Sequence, residues 1–94
     1  MFIVPIVAFL PTQADYKIVE IRRESKFAGR LGQLVSEDLV VERSGTRVMV
    51  HIAGSYHTMC VRPGQRLHEG DTITIRGEAP SEGATIPRGR IARS

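Results

Sequence analysis

The sequence has few aromatic residues and almost no cysteine. It contains no Trp, two Tyr and three Phe, so a hydrophobic core must be built mainly from Val, Ile and Leu. The single cysteine, Cys60, excludes a disulfide within the chain and is compatible with a reducing compartment. A chain of this length buries only roughly 60–65% of its unfolded surface, so it can form one small core.

Long apolar runs and internal repeats are also missing. The longest apolar segment, residues 1–10, is half the length of about 20 residues that a membrane-spanning helix needs. It contains no Lys or Arg, whereas a secretory signal begins with a positively charged region. Pro5 and Pro11 argue against a continuous helix or a central strand. We therefore interpret residues 1–13 as an extended apolar arm that packs on its own domain or on a protein partner, and expect no transmembrane span.

The composition is that of one folded, modestly basic domain. The 94 residues are 41% hydrophobic, and 13 Lys and Arg against 10 Asp and Glu give a net charge of +3. This hydrophobic content excludes a disordered chain. The basic excess permits a nucleic acid or an anionic surface as partner without establishing either.

Alternation of apolar and polar residues predicts an all-β fold. Strands are predicted at 29–35, 39–43, 47–52 and 72–76, with a last short strand around Ile91. The segments between them, 36–38, 44–46, 53–71 and 77–87, are rich in turn residues and are predicted as turns or loops. Residues 16–26 lack a clean period and fit either a strand or a short helix. Four or five short strands with turns between them favour a small β-barrel.

Within the predicted strands, alternation assigns side chains to faces. Leu31 and Val35 share one face of the first strand. In residues 47–52, Val48, Val50 and Ile52 face one way, and Arg47, Met49 and His51 face the other. Ile73 and Ile75 point inward from the strand at 72–76.

Catalytic and metal sites have weak support. Cys60 follows His57 by three residues, but proximity in sequence does not establish a thiolate and a base at hydrogen-bond distance. His51, His57, Cys60 and His68 are zinc-type donors whose spacing matches no common zinc module. We expect no catalytic residue, metal or cofactor, no small-molecule substrate, and no enzymatic activity.

Basic and aromatic side chains form a more coherent set. Arg47 and His51 lie on the outward face of one predicted strand, Tyr56 and His57 lie in the loop that follows, and three arginines crowd the C-terminal region. Guanidinium groups pair with phosphates, and Tyr or His rings stack on unpaired bases. This pattern on a small barrel fits binding to single-stranded nucleic acid, and it fits equally a set of arginines that are solvated at the surface.

The order and spacing of short motifs over residues 27–94 resemble the translation initiation factor one family. Gly45 precedes His-Ile-x-Gly at 51–54, Arg-Leu-x-x-Gly-Asp at 66–71 precedes the strand "TITIR", and Gly-Arg-Ile at 89–91 precedes Arg93. Gly29 matches a glycine near the start of the family's first strand. The family has a Lys- and Arg-rich loop where this chain has a longer segment, "SYHTMCVRPGQ", with Arg62 as its one Lys or Arg.

The resemblance implies a five-stranded OB-fold barrel at residues 27–94, preceded by an arm and lead-in at 1–26. It implies RNA binding at the small ribosomal subunit, in the cytoplasm or an organelle. The residues expected to contact rRNA are Arg47, His51, Tyr56, His57, Arg62, Arg66, Arg88, Arg90 and Arg93. Two alternatives stay open: a permanent ribosomal protein similar to the S-seventeen family, and a protein–protein interaction module of a membrane-associated scaffold.

Overall fold

The computed structural model describes residues 13–93, which form seven β-strands and four short 3₁₀ turns. The strands are β1 (Gln13–Phe27), β2 (Gln33–Arg43), β3 (Thr46–Ala53), β4 (Tyr56–His57), β5 (Thr72–Arg76), β6 (Ala84–Pro87) and β7 (Ile91–Arg93). The 3₁₀ turns are Gly29–Leu31, Thr58–Cys60, Pro63–Gln65 and Arg88–Arg90. The prediction of an all-β fold is therefore confirmed, with more strands than the five expected.

All seven strands belong to one curled sheet. Its order is β6-β3-β2-β1-β5-β7, with the short β4 paired to β2. The two outer strands are consecutive in sequence, since only the turn Arg88–Arg90 separates β6 from β7. β6 pairs with β3 in parallel, and β7 pairs with β5 antiparallel. The sheet consequently curls into a half-barrel whose two edges meet at this turn.

The long first strand connects the two halves of the sheet. Residues from Gln13 to Lys17 pair with β5, and residues from Lys17 to Phe27 pair with β2. The register shifts between Ile18 and Glu20, which marks a bulge. A bulge bends a strand and increases its twist. This bend lets one continuous strand curl between two partners.

The core lies on the concave side of this sheet and is mostly aliphatic. Its buried members are Tyr16, Ile18, Leu39, Val41, Val50, Ile52, Ile73, Ile75 and Ile86. As predicted, Ile73 and Ile75 point inward, and Val50 and Ile52 share the buried face of β3 with the half-buried Val48. The tight turn predicted at 44–46 is also present, with Ser44 and Gly45 both at positive φ. Positive φ at both central residues is typical of two-residue hairpins.

Two predictions in the second quarter of the chain are wrong. Residues 36–38 do not form a turn, because they lie in the middle of β2. The polar residue Glu37 is buried between Val35 and Leu39 on the inner face, where two arginines pair with its charge. The strand predicted at 29–35 begins only at Gln33, since Gly29–Leu31 is a 3₁₀ turn that leaves Leu31 exposed.

Three further segments are strands that the sequence pattern did not identify. Residues 56–57 and 84–87, both predicted as loop, form β4 and β6. Residues 16–26, which fitted a strand or a helix, are part of β1, so the sheet extends N-terminally of residue 27. Of the predicted arm at 1–13, residues 1–12 lie outside the described residues, and Gln13 is the first residue of β1. No helix within residues 13–93 is long and apolar enough to cross a membrane.

Candidate nucleic-acid interface

A buried carboxylate organises the charged groups at one side of the sheet. The Glu37 side chain is 2% exposed. Its Oε2 accepts a hydrogen bond from Arg23 Nε at 2.9 Å, and its Oε1 accepts one from Arg88 Nη1 at 3.2 Å. Arg23 lies directly opposite Glu37 in the β1–β2 register and also donates from Nη2 to the carbonyl of Leu67 at 2.6 Å. These bonds join β1, β2, the turn after β6 and the loop before β5.

A cavity of about 260 Å³ opens beside this carboxylate. Its walls combine apolar side chains with groups that donate or accept hydrogen bonds. They are formed by Glu37, Tyr56, Val61, Gln65, Arg66, Leu67 and Arg88. A concave site with apolar walls and a few converging polar groups is the usual form of a ligand site.

The aromatic wall of the cavity is Tyr56 of β4. The Arg88 guanidinium carbon lies 5.2 Å from the centroid of the Tyr56 ring, which is within cation–π range. The Tyr56 hydroxyl and the neighbouring His57 Nδ1 are buried and have no hydrogen-bond partner among residues 13–93. An unpaired buried polar group costs about 1–3 kcal/mol, so a ligand that reached either group would recover part of that cost.

Positive charge exceeds negative charge around the cavity. Arg66 has no acidic partner within the described part of the chain, whereas Arg23 and Arg88 share the single carboxylate of Glu37. The neighbouring Arg62 is exposed and also lacks an acidic partner there. Residues 43–68, which include the loop that supplies Arg62 and Arg66, contain no Asp or Glu. The cavity and its rim therefore favour an anionic ligand.

Two of the predicted RNA-binding residues lie elsewhere, on the outer face of the β2–β3 hairpin. Arg47 pairs with Glu42 at 3.1 Å, and His51 Nδ1 lies 2.6 Å from Asp38 Oδ1. Each pair joins residues directly opposite in the β2–β3 register. This face is consequently close to neutral and has less attraction for phosphates than the cavity rim.

Two more of the predicted arginines bind backbone carbonyls. Arg90 donates to the carbonyls of Arg76 and Glu78 at 2.6 and 3.0 Å, which fastens the turn after β6 to the loop after β5. Arg93 donates to the Gly64 carbonyl at 2.8 Å and lies 3.5 Å from Asp71 Oδ2. The structure thus brings Tyr56, Arg66 and Arg88 together at one cavity.

Sequence reasoning missed the two residues at the centre of the site, Arg23 and Glu37. A signal for Glu37 was present, because Val35, Glu37 and Leu39 alternate with period two and place the acid on the inner face. Arg23 carried no such signal. Its role depends on the β1–β2 register, which the bulge in β1 obscures.

The zinc-type donors do not converge. Among residues 13–93, no group of three or more His, Cys, Asp or Glu side chains is arranged to hold a metal ion. Cys60 is exposed and unpaired, whereas His51 bonds to Asp38 on the outer face.

Comparisons with known proteins give no relative. No protein-family model matches the chain, and neither a curated protein nor a solved structure matches it. The geometry of the sheet and of the cavity is accordingly the basis for assigning a function.

Proposed function

We propose that this chain is an OB-fold RNA-binding protein that acts at the small ribosomal subunit, similar to translation initiation factor one. The observation that carries the proposal is the convergence of Tyr56, Arg66 and Arg88 on one cavity with excess positive charge. It is a binding protein in this proposal, and its barrel docks on folded RNA.

The connectivity of the sheet supports the OB-fold part of the proposal. β1, β2 and β3 form a meander, β1 also pairs with β5, and β3 pairs in parallel with β6. When β6 and β7 are counted as one strand interrupted by the turn Arg88–Arg90, and the two-residue β4 is left out, five principal strands remain. A five-stranded, partly open Greek-key barrel that binds oligonucleotides is the OB-fold.

The chemistry of the cavity supports a nucleotide as the ligand. Arginine guanidinium groups at the rim, from Arg66 and Arg88, suit phosphate oxygens in geometry and charge. The apolar wall, with Val61 and Leu67, suits the flat faces of a base, and the Tyr56 ring offers a stacking surface. Arg62 extends the cationic rim along the path of the RNA backbone.

A matched pair of arginine variants tests the site. Arg66→Ala removes an exposed rim charge, and Arg76→Ala removes an exposed charge from β5, away from the cavity. Neither arginine has an acidic partner in the described residues. We expect Arg66→Ala to weaken binding of small-subunit RNA about tenfold in a filter-binding titration, because a charged hydrogen bond is lost. The slope of log K against log salt concentration should also become shallower by about one, because one fewer counterion is released on binding.

The control variant Arg76→Ala should bind within about twofold of the unmodified chain, since its charge contributes only to the general field. Equal losses from both variants would show that net charge, rather than the cavity, drives binding. No measurable affinity of the unmodified chain for small-subunit RNA at low salt would overturn the proposal.

Co-sedimentation with ribosomal subunits separates a transient factor from a permanent ribosomal protein. A factor held mainly by phosphate contacts should leave the subunit in high salt, because added cations compete for the phosphates. A protein that stays bound in high salt fits the alternative of an S-seventeen-like ribosomal component.

A further inference from the structure

The hairpin between β1 and β2 ends in an exposed apolar tip, which we define as Phe27, Leu31 and Met59. Phe27 is 90% exposed, Met59 73% and Leu31 46%. They are the exposed large hydrophobic side chains of the described residues. Residues 22–27 of β1 are all exposed, so this end of the hairpin stands out from the core.

Specific contacts fasten the turn that carries Met59 to the hairpin connection that carries Phe27 and Leu31. The backbone N–H of Gln33 donates to Thr58 Oγ1 at 3.0 Å, which fastens the turn Thr58–Cys60 to the hairpin. Gly32 lies so close to Thr58 and Met59 that a Cβ there would overlap the Thr58 hydroxyl. The apolar tip is therefore built from two chain segments in fixed contact.

Positive charge exceeds negative charge around the apolar tip, because residues 22–35 carry four Lys and Arg against one acid, Glu24. Residues 25–35 carry Lys26 and Arg30 and no acidic residue. The second segment of the tip lies within residues 43–68, which also lack Asp and Glu. Exposed apolar side chains flanked by cations fit a surface that is apolar beneath an anionic layer.

We propose that the apolar tip inserts into an anionic lipid surface, with Lys26 and Arg30 at the level of the headgroups. This activity is separate from RNA binding, because neither Arg66 nor Arg88 takes part. An aromatic ring alone could stack on a base, but Leu31 and Met59 have no planar face for stacking, whereas all three side chains fit hydrocarbon.

A second copy of the chain is disfavoured as the occupant of the tip by charge. A tip-to-tip contact between two copies would place Lys26 and Arg30 of one copy against those of the other, which is repulsive.

A tryptophan reporter tests the proposal in the full chain. The sequence has no Trp, so Phe27→Trp introduces a single fluorophore at the tip. We expect its emission to shift to the blue, and to be quenched by brominated lipid, on phosphatidylcholine vesicles that contain phosphatidylglycerol. Thr46→Trp, at the opposite hairpin, is the control and should show neither change. If Phe27→Trp fails to fold, Met59→Trp serves as the reporter.

Charge variants test the role of the flanking cations. In the Phe27→Trp background, Lys26→Gln should weaken vesicle binding about fivefold, as expected for one basic residue at an anionic surface. Lys17→Gln, at the other end of the same strand, should leave it unchanged.

Three results would overturn the proposal. The first is the absence of a blue shift on anionic vesicles. The second is a blue shift that appears without vesicles and grows with protein concentration. The third is a blue shift that RNA produces and vesicles do not. The second would indicate self-association, and the third an RNA contact at the tip. Loss of RNA binding in Arg66→Ala is a separate readout that none of these results affects.

Discussion

Arg23 and Arg47 both pair with a glutamate, but the two ion pairs have different surroundings. Arg23 bonds to Glu37, whose side chain is 2% exposed, whereas Arg47 is 63% exposed and bonds to the partly exposed Glu42. Exposed pairs contribute about 0–1 kcal/mol because water screens the charges. Breaking a buried pair costs more, since a carboxylate is left without its partner away from water.

We therefore predict that Arg23→Ala lowers the free energy of unfolding by about 2 kcal/mol, because Arg88 still pairs with Glu37. Arg47→Ala should lower it by less than about 1 kcal/mol. Urea unfolding of the two variants measures both values. Equal losses would mean that the Glu37 carboxylate is well hydrated.

Gly32 and Gly29 form a second matched pair of single residues. Both have positive φ, in the same hairpin connection. A Cβ at Gly29 meets nothing within 4 Å, whereas a Cβ at Gly32 would overlap Thr58. We predict that Gly29→Ala costs about 1 kcal/mol, from backbone strain alone. Gly32→Ala should cost at least about 2 kcal/mol, because strain and overlap add.

Thermal unfolding and proteolysis of the two glycine variants check this prediction. Gly32→Ala should also detach the turn Thr58–Cys60 and expose it to cleavage, and Gly29→Ala should not. Similar behaviour of both variants would argue against tight packing of the turn on the hairpin.

At the scale of elements, the strands differ in how far the sequence revealed them. β3 and β5 alternate cleanly because each buries one face, so their pattern was readable. β1 was ambiguous because a bulge breaks its period and its last six residues are exposed on both faces. β6 has four residues and ends at Pro87, and its pairing with β3 depends on residues more than thirty positions away. Long-range pairing of this kind leaves little local signal.

The short β6 nevertheless fixes the edge of the sheet. Ile86 is 1% exposed, belongs to the core and lies opposite Ile52 in the register. We predict that Ile86→Ala lowers the free energy of unfolding by about 3 kcal/mol, from lost burial and the cavity left behind. The exposed neighbour Thr85 is the control, and Thr85→Ala should cost less than about 0.5 kcal/mol. Urea titrations that gave similar losses would place Ile86 outside the cooperative core.

At the scale of the whole molecule, the sequence predicts some residues of the candidate site but not which cations are paired with acids. Tyr56, Arg66 and Arg88 were chosen by residue type, and the fold brings them together. The fold also pairs Arg47 and His51 with acids, which a sequence pattern could not show because the partners are set by strand register. For this reason, the number of Arg and His side chains in a sequence overestimates the number that are free of an acidic partner in the fold.

The meeting of β6 and β7 at one turn has a consequence for the order of folding. Until residues 84–93 have been synthesised, β3 and β5 each retain an unpaired edge, and the side chain of Ile86 is missing from the core. The meander β1–β3 can form early, but the sheet cannot finish curling until this last segment is available. During synthesis, native folding is consequently delayed until these residues emerge from the ribosomal exit tunnel. Because the sheet depends on pairings between distant residues, its folding time is on the order of milliseconds to seconds. A nascent chain paused before residue 84 presents open strand edges, the state in which β-proteins are most prone to pair with one another.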